Sequence, residues 1–297
     1  MRETILSSLR PLLSSKSSIF LIVVTPPILY VSTTFTRLLY QYPSTKIHPS
    51  HPIYTSRDNT RFSQEYVHWF SARIPLRYLL PATFRKDSPE KKKDIRTPVE
   101  VWTHAFFSTP TIALEEAVVG WAKGKGFKTG DQGERGIYVG QGFGHGVFKV
   151  IAFEREEEMS VPEASAVKEE EGREGRVIGR VIVEWDLSDS LVHIWEVAAT
   201  KGLPWRHLTG GRHSLEVISY RPGDAQKKLG VTEGDGKQEE EYVTVRFGCA
   251  LDIEKVNRLD GTGLPDGKLM PGWYIWLHEM YARWLVDGAV KKLARNR

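Results

Sequence analysis

The chain has 297 residues, 41 of them basic and 37 acidic, with 40% hydrophobic content and one cysteine. A single cysteine excludes an intrachain disulfide framework and a Cys-rich zinc site. The pI near 9.0 rests on short basic clusters such as Lys91–Lys93 in loop-like sequence, not on the basic face a nucleic-acid partner needs, so no nucleic acid is expected.

In chain order, the first element is "SSIFLIVVTPPILYVSTTFT", twenty uncharged residues between Lys16 and Arg37. That length matches a membrane-crossing or anchoring helix over about 17–36, which puts a membrane among the partners, the endoplasmic reticulum foremost and the mitochondrion second. Pro26 and Pro27 interrupt it, as membranes tolerate better than water does. A cleaved signal peptide competes with this reading, and Arg2, Arg10 and Lys16 in Ser-rich sequence keep a mitochondrial presequence open. Residues 41–61, rich in Pro, Ser, Thr and His, read as a linker to a domain over 62–297.

Within that domain, "EYVHWFSARIPLRYLL" reads as a strand ending near Pro75. Thr97-Pro98 with Glu100 starts one helix, and Thr109-Pro110 starts a second that stops at Gly120–Gly126. "GIYVGQGFGHGVFKV" then sets Gly140, Gly142, Gly144 and Gly146 at every second position. It lacks the G-x-G-x-x-G spacing and the following helix of a dinucleotide turn, and no Gly-Lys-Ser/Thr closes a Walker loop. Read as a strand, it bares one face at the glycines, either for a close-packed ligand or for a sharp bend.

Alternation continues in "RVIGRVIVEWDL", where Val177, Gly179, Val181, Val183 and Trp185 share a face, and in "RHSLEVISY" and "EYVTVRFGCAL". "LVHIWEVAA" is taken as a strand over a short helix. Charged insertions at about 154–175 and 221–240 read as mobile loops. From Pro271 a long amphipathic helix follows, with Leu277, Met280, Tyr281, Trp284, Leu285, Ala289 and Leu293 on its apolar stripe and Glu279, Arg283, Asp287 and Lys291 opposite. The expected fold class is therefore α+β, a curved antiparallel sheet wrapped around a long C-terminal helix behind an N-terminal hydrophobic anchor helix.

This order resembles the helix-grip fold of the START and polyketide-cyclase superfamily, and within it poorly characterised microbial members. The likeness rests on "YVGQGFGHGVFKV", "RHSLEVISY" and "WLHEMYARWLVDGAVKKL" and covers roughly 62–297. The chain departs from that pattern in its long acidic insertion, its N-terminal hydrophobic segment, and Glu216-Val217 where an acidic–aromatic pair is expected. The resemblance implies a cavity for an apolar molecule and serves carriers and enzymes alike.

His213, beside Arg212 at the start of a strand, is the candidate catalytic acid or base. Gly142, Gly144, His193, Trp195, Trp205, Tyr281 and Trp284 are the candidate substrate contacts, the aromatics for stacking and the glycines for close approach. Arg246 reads as solvated, and Cys249 as a buried small hydrophobe. No histidine spacing suits a metal, and neither a metal nor a cofactor is expected. The favoured function is a membrane-associated, cofactor-independent cyclase or isomerase, even a pericyclic one, acting on a polyketide or terpenoid intermediate of secondary metabolism. A lipid or sterol carrier and a membrane-bound scaffold whose aromatic helix face meets a partner remain the alternatives.

Overall fold

The computed structural model describes residues 16–54, 62–80, 96–134, 136–155, 167–168, 174–203, 208–220, 241–254 and 270–295. It divides into two units, Met1–Pro43 and Ser44–Arg297.

The first unit holds helix α1, Lys16–Gln41. Among the described residues, no helix is long and apolar enough to cross a membrane, which corrects the transmembrane reading. The uncharged run is not a continuously apolar one. Its second half carries Ser32, Thr33, Thr34 and Thr36, and the Thr33 and Thr36 hydroxyls donate back to carbonyls of the preceding turn.

The second unit is an antiparallel sheet of eight strands: β1 Ser44–Lys46, β2 Phe62–Pro75, β3 Gly142–Phe143, β4 Phe148–Arg155, β5 Val167–Lys168, β6 Glu174–Asp186, β7 Gly210–Tyr220 and β8 Tyr242–Glu254. Seven run in the order β1-β2-β8-β7-β6-β4-β3, and β5 pairs with β6. Irregularities between Glu65 and His68, Val150 and Ala152, and Val177 and Gly179 break the register. Bulges of this kind bend a strand and add twist, and the sheet is curved.

Helices α2 (Pro98–Phe107), α3 (Pro110–Ala122) and α5 (Gly272–Arg295) follow the expected starts, while α4 (Asp189–Thr200) lies where a strand was expected. The Ser188 backbone carbonyl accepts from the Leu191 and Val192 amides, the first bonds of α4. Thr97 and Glu100 form a reciprocal capping box at α2.

Helices α2 and α5 pack against each other and the sheet, α2 on β6 and β7, α5 on β2. The helix-facing side of the sheet carries Phe70, Phe247 and Leu215, with Phe106 of α2 stacked 4.4 Å from Phe247 between ring centroids. Residues 47–54 of the segment read as a linker pack on the other side. Ile47 and Ile53 are buried there against Val67, Trp69 and Ala250.

The glycine stretch is not a strand along its length. Gly142–Phe143 is a short strand and Phe148–Val150 open β4, while Gly144–Gly146 between them form a helical turn with His145 left-handed at φ 58°. The face of α5 also differs from expectation. Glu279 is half-buried and Arg283 and Asp287 are buried, while Leu277 and Trp284 are exposed. Arg283 tolerates this position because its guanidinium lies 5.0 Å over the Phe70 ring and pairs with Glu279.

Candidate functional site

The inward face of the sheet follows from strand alternation. On β8, Val245, Phe247, Cys249 and Leu251 alternate with Arg246, Gly248, Ala250 and Asp252. Cys249 pairs across the sheet with His68 of β2 on one side and His213 of β7 on the other. The first turns of α5 bring Ile275, His278 and Glu279 over this row. Tyr66, His68, Phe70, Cys249, Leu251, Ile275, His278 and Glu279 line a cavity of about 10 Å³ between helix and sheet.

His213 is buried between rings. Its centroid lies 5.0 Å from Phe247, 5.9 Å from Phe148 and 6.2 Å from Trp185. Burial and the neighbouring His278 push its pKa down to about 3, against a weaker upward pull from the Gly248 backbone. The ring is therefore neutral at physiological pH, so the inward placement expected of His213 holds but an imidazolium acid there does not. His278 is shifted down by burial too, with Glu279 opposing.

At the other end of the row, His68 Nδ1 stands 3.4 Å from Glu279 Oε1. That is ion-pair reach but outside hydrogen-bond geometry, and among the described residues His68 Nδ1, His213 Nδ1 and His278 Nε2 make no hydrogen bond. Glu279 Oε2 accepts from Arg283 at 3.1 Å. The imidazole of His68 and then Arg283 hold the Glu279 carboxyl below the usual range, over the opposing effect of burial. Burial pushes the Cys249 thiol well above its ordinary value, so Cys249 is the buried small hydrophobe expected of it and not a ready thiolate.

Of the candidate contacts, none but His213 joins this row. Gly142 lies in β3, and Gly144 turns at φ 56° with a Cβ position 3.2 Å from Glu116. His193 is exposed and Trp195 half-buried on α4. Trp284 is 45% exposed, and the Tyr281 hydroxyl donates to Glu115 of α3. Trp205 lies outside the described residues. His68, His278 and Glu279 were missed. Strand alternation from Cys249 reaches His68 only once β2 and β8 are known to pair, and Glu279 was assigned to the solvent side of its helix.

The opposite face of the sheet holds a second polar group. Glu154, Arg180, Glu216 and Arg246 stand in register across β4, β6, β7 and β8. Arg180 bridges Glu154 and Glu216, and His51 Nε2 reaches Glu216 Oε1 at 2.7 Å. Arg246 is 7% exposed and lies 5.9 Å from the Trp69 ring centre, which corrects the solvated reading. Arg212 and Asp252 pair nearby at 3.1 Å, both wholly buried. These charges neutralise one another and form structural ties, with His51 of the 47–54 segment joined to Glu216.

Among the described residues, no cluster of His, Cys, Asp and Glu is arranged to hold a metal ion. No family model, curated protein or solved structure matches the chain.

Proposed function

We propose that residues 44–297 form a helix-grip protein that encloses a hydrophobic small molecule between the sheet and α5 and isomerises or cyclises it without a cofactor. The strand order β2-β8-β7-β6-β4-β3, with two helices between β2 and β3 and a long helix at the end, supports the fold reading. A polyketide- or terpenoid-like intermediate suits the aromatic lining.

One observation carries the functional reading. Two buried histidine nitrogens without hydrogen bonds, His213 Nδ1 and His278 Nε2, gather at the seam between sheet and helix, beside the His68–Glu279 ion pair. Each such group costs about 1–3 kcal/mol, and packing alone gives no return on that cost. A ligand carbonyl or hydroxyl satisfies it. His213, held neutral, acts as a hydrogen-bond partner that biases electron density.

The cavity of about 10 Å³ is far below the roughly 300 Å³ of a small-ligand site. Binding therefore requires the first turns of α5, which carry Ile275, His278 and Glu279, to lift from β2 and β8. Full-length protein purified from its native source and examined by native mass spectrometry is expected to carry a hydrophobic molecule. Hydrogen exchange in 272–280 is expected to slow when it is bound. A preparation free of ligand that takes up no hydrophobic compound overturns the reading. That outcome favours the scaffold, for which the exposed Trp273, Trp276, Leu277 and Trp284 on the outer side of α5 speak.

A further inference from the structure

Resting on the enclosed-ligand reading above, we infer that His68 and Glu279 form the proton-moving pair of this seam, and that the substrate is a hydrophobic ketone with a C–H acid beside its carbonyl. His68 comes from β2 and Glu279 from α5. They meet because β2 pairs with β8 in a register that sets His68 opposite Cys249, beneath the helix. Their separation of 3.4 Å is that of a pair not yet aligned, and catalytic hydrogen bonds are often long before substrate closes the site.

Three features assign the roles. Arg283 occupies Glu279 Oε2, which leaves Oε1 facing His68 Nδ1. The Arg283 guanidinium is itself fixed over Phe70, so the carboxylate is aimed from behind and stays ionised. Carrying its proton on Nδ1 toward Glu279, His68 presents a basic Nε2 to the cavity, and the carboxylate stabilises the imidazolium as it forms. His68 is the catalytic base, and Glu279 is its positioning residue. His278, also on the lining and neutral, has an unbonded Nε2 and supplies an uncharged N–H to the carbonyl oxygen.

The step balances within the site. In such a ketone with a β,γ double bond, His68 Nε2 takes the proton from the carbon between the carbonyl and that double bond. The C–H bonding pair moves into the enolate, whose oxygen accepts the His278 N–H. The imidazolium then returns the same proton to the far carbon of the conjugated system. The double bond has moved, and neither an oxidant nor water is consumed. The adjacent Phe70, Leu251 and Ile275 give the remainder of the ketone an apolar bed.

The test uses the full chain and a β,γ-unsaturated cyclic ketone bearing an alkyl tail. Binding is followed by tryptophan fluorescence, proton exchange by NMR in deuterium oxide, and conjugation by ultraviolet absorbance. The wild type is expected to exchange the proton beside the carbonyl. His68→Gln should lower that rate about a hundredfold or more while still binding the probe. Glu279→Gln should lower kcat with KM unchanged, and Glu279→Asp should restore part of it, a split that a purely structural carboxylate would not produce. Near-ultraviolet circular dichroism of each variant establishes that it is folded. Wild-type binding without exchange, or a folded His68→Gln that exchanges at the wild-type rate, overturns the pair while leaving the enclosed ligand intact. Failure of the wild type to bind the ketone overturns the ketone assignment and its proton-moving pair, while the native mass spectrum decides the enclosed ligand separately.

Discussion

Glu216 and His213 sit three residues apart on β7, on opposite faces of the sheet, and both tie folding to acid. Burial alone would raise the Glu216 pKa. The His51 hydrogen bond and the Arg180 charge outweigh it and bring the value from 4.5 down to about 2. A carboxyl whose folded value lies below its unfolded one stabilises above the unfolded value, and the contribution is lost as pH falls from about 4.5 toward 2. It is on the order of 3 kcal/mol. His213 is also lower in the folded state, about 3 against 6.5, so the unfolded chain takes up its proton first and stability declines from pH 6.5 downward. Urea midpoints measured against pH should therefore fall in two windows. His213→Phe should flatten the upper one, with the residual slope left to His278, and Glu216→Gln should flatten the lower. A profile unchanged by both substitutions would show that neither group sets acid stability. Asp252→Asn removes the carboxylate charge that stands 3.1 Å from the wholly buried Arg212 and should cost about 3–5 kcal/mol in the same assay. Alternation in sequence was enough to turn His213 and Cys249 inward. It could not show that Arg246 is buried, because a charge on the far face of a strand is ordinarily solvated. The 47–54 segment folds over that face, with His51 against Glu216 and against Trp69, the ring beside Arg246.

At the scale of elements, local signals carried most of the chain. The cap at Thr97, the helix start at Thr109-Pro110, the alternating runs of β6, β7 and β8, and the helix after Pro271 all appear with ends near those expected. Two elements misled. Glycine at every second position imitates the period of a strand, yet Gly140, Gly144 and Gly146 have φ of 90°, 56° and 79°, where only glycine sits without strain. The α4 segment is β-branched enough to read as a strand, yet it is helical from Asp189 to Thr200. Gly179 is the contact on which the α2–sheet packing turns. A Cβ there would meet Val99 Cγ1 at 2.6 Å, so Gly179→Ala should destabilise by about 1–3 kcal/mol in chemical denaturation. The double variant Gly179→Ala with Val99→Ala should recover part of the loss. An equal cost in both backgrounds would place the strain elsewhere.

Over the whole molecule, the strand order and two packed helices build one seam whose contents come from β2, β7, β8 and α5. A ligand held in that seam and absent from the unfolded chain stabilises by mass action. At a hundred times its dissociation constant the gain is about 2.7 kcal/mol, which for a unit of this size raises Tm by roughly 5–10 °C. Differential scanning fluorimetry across a series of hydrophobic ketones should show that rise, increasing with concentration. A flat series would count against the seam as a binding site. By itself the amino-acid order determined the fold class, most of the helices and strands, and the inward turn of His213 and Cys249, because caps, period and alternation act over a few neighbouring residues. Only the tertiary structure decided that His68 lies beside Glu279, that the 47–54 segment folds over the face with the row of charges, and that the outer side of α5 keeps its tryptophans. Each of those depends on which strands pair and how far a helix is covered, properties set by contacts between residues more than a hundred positions apart.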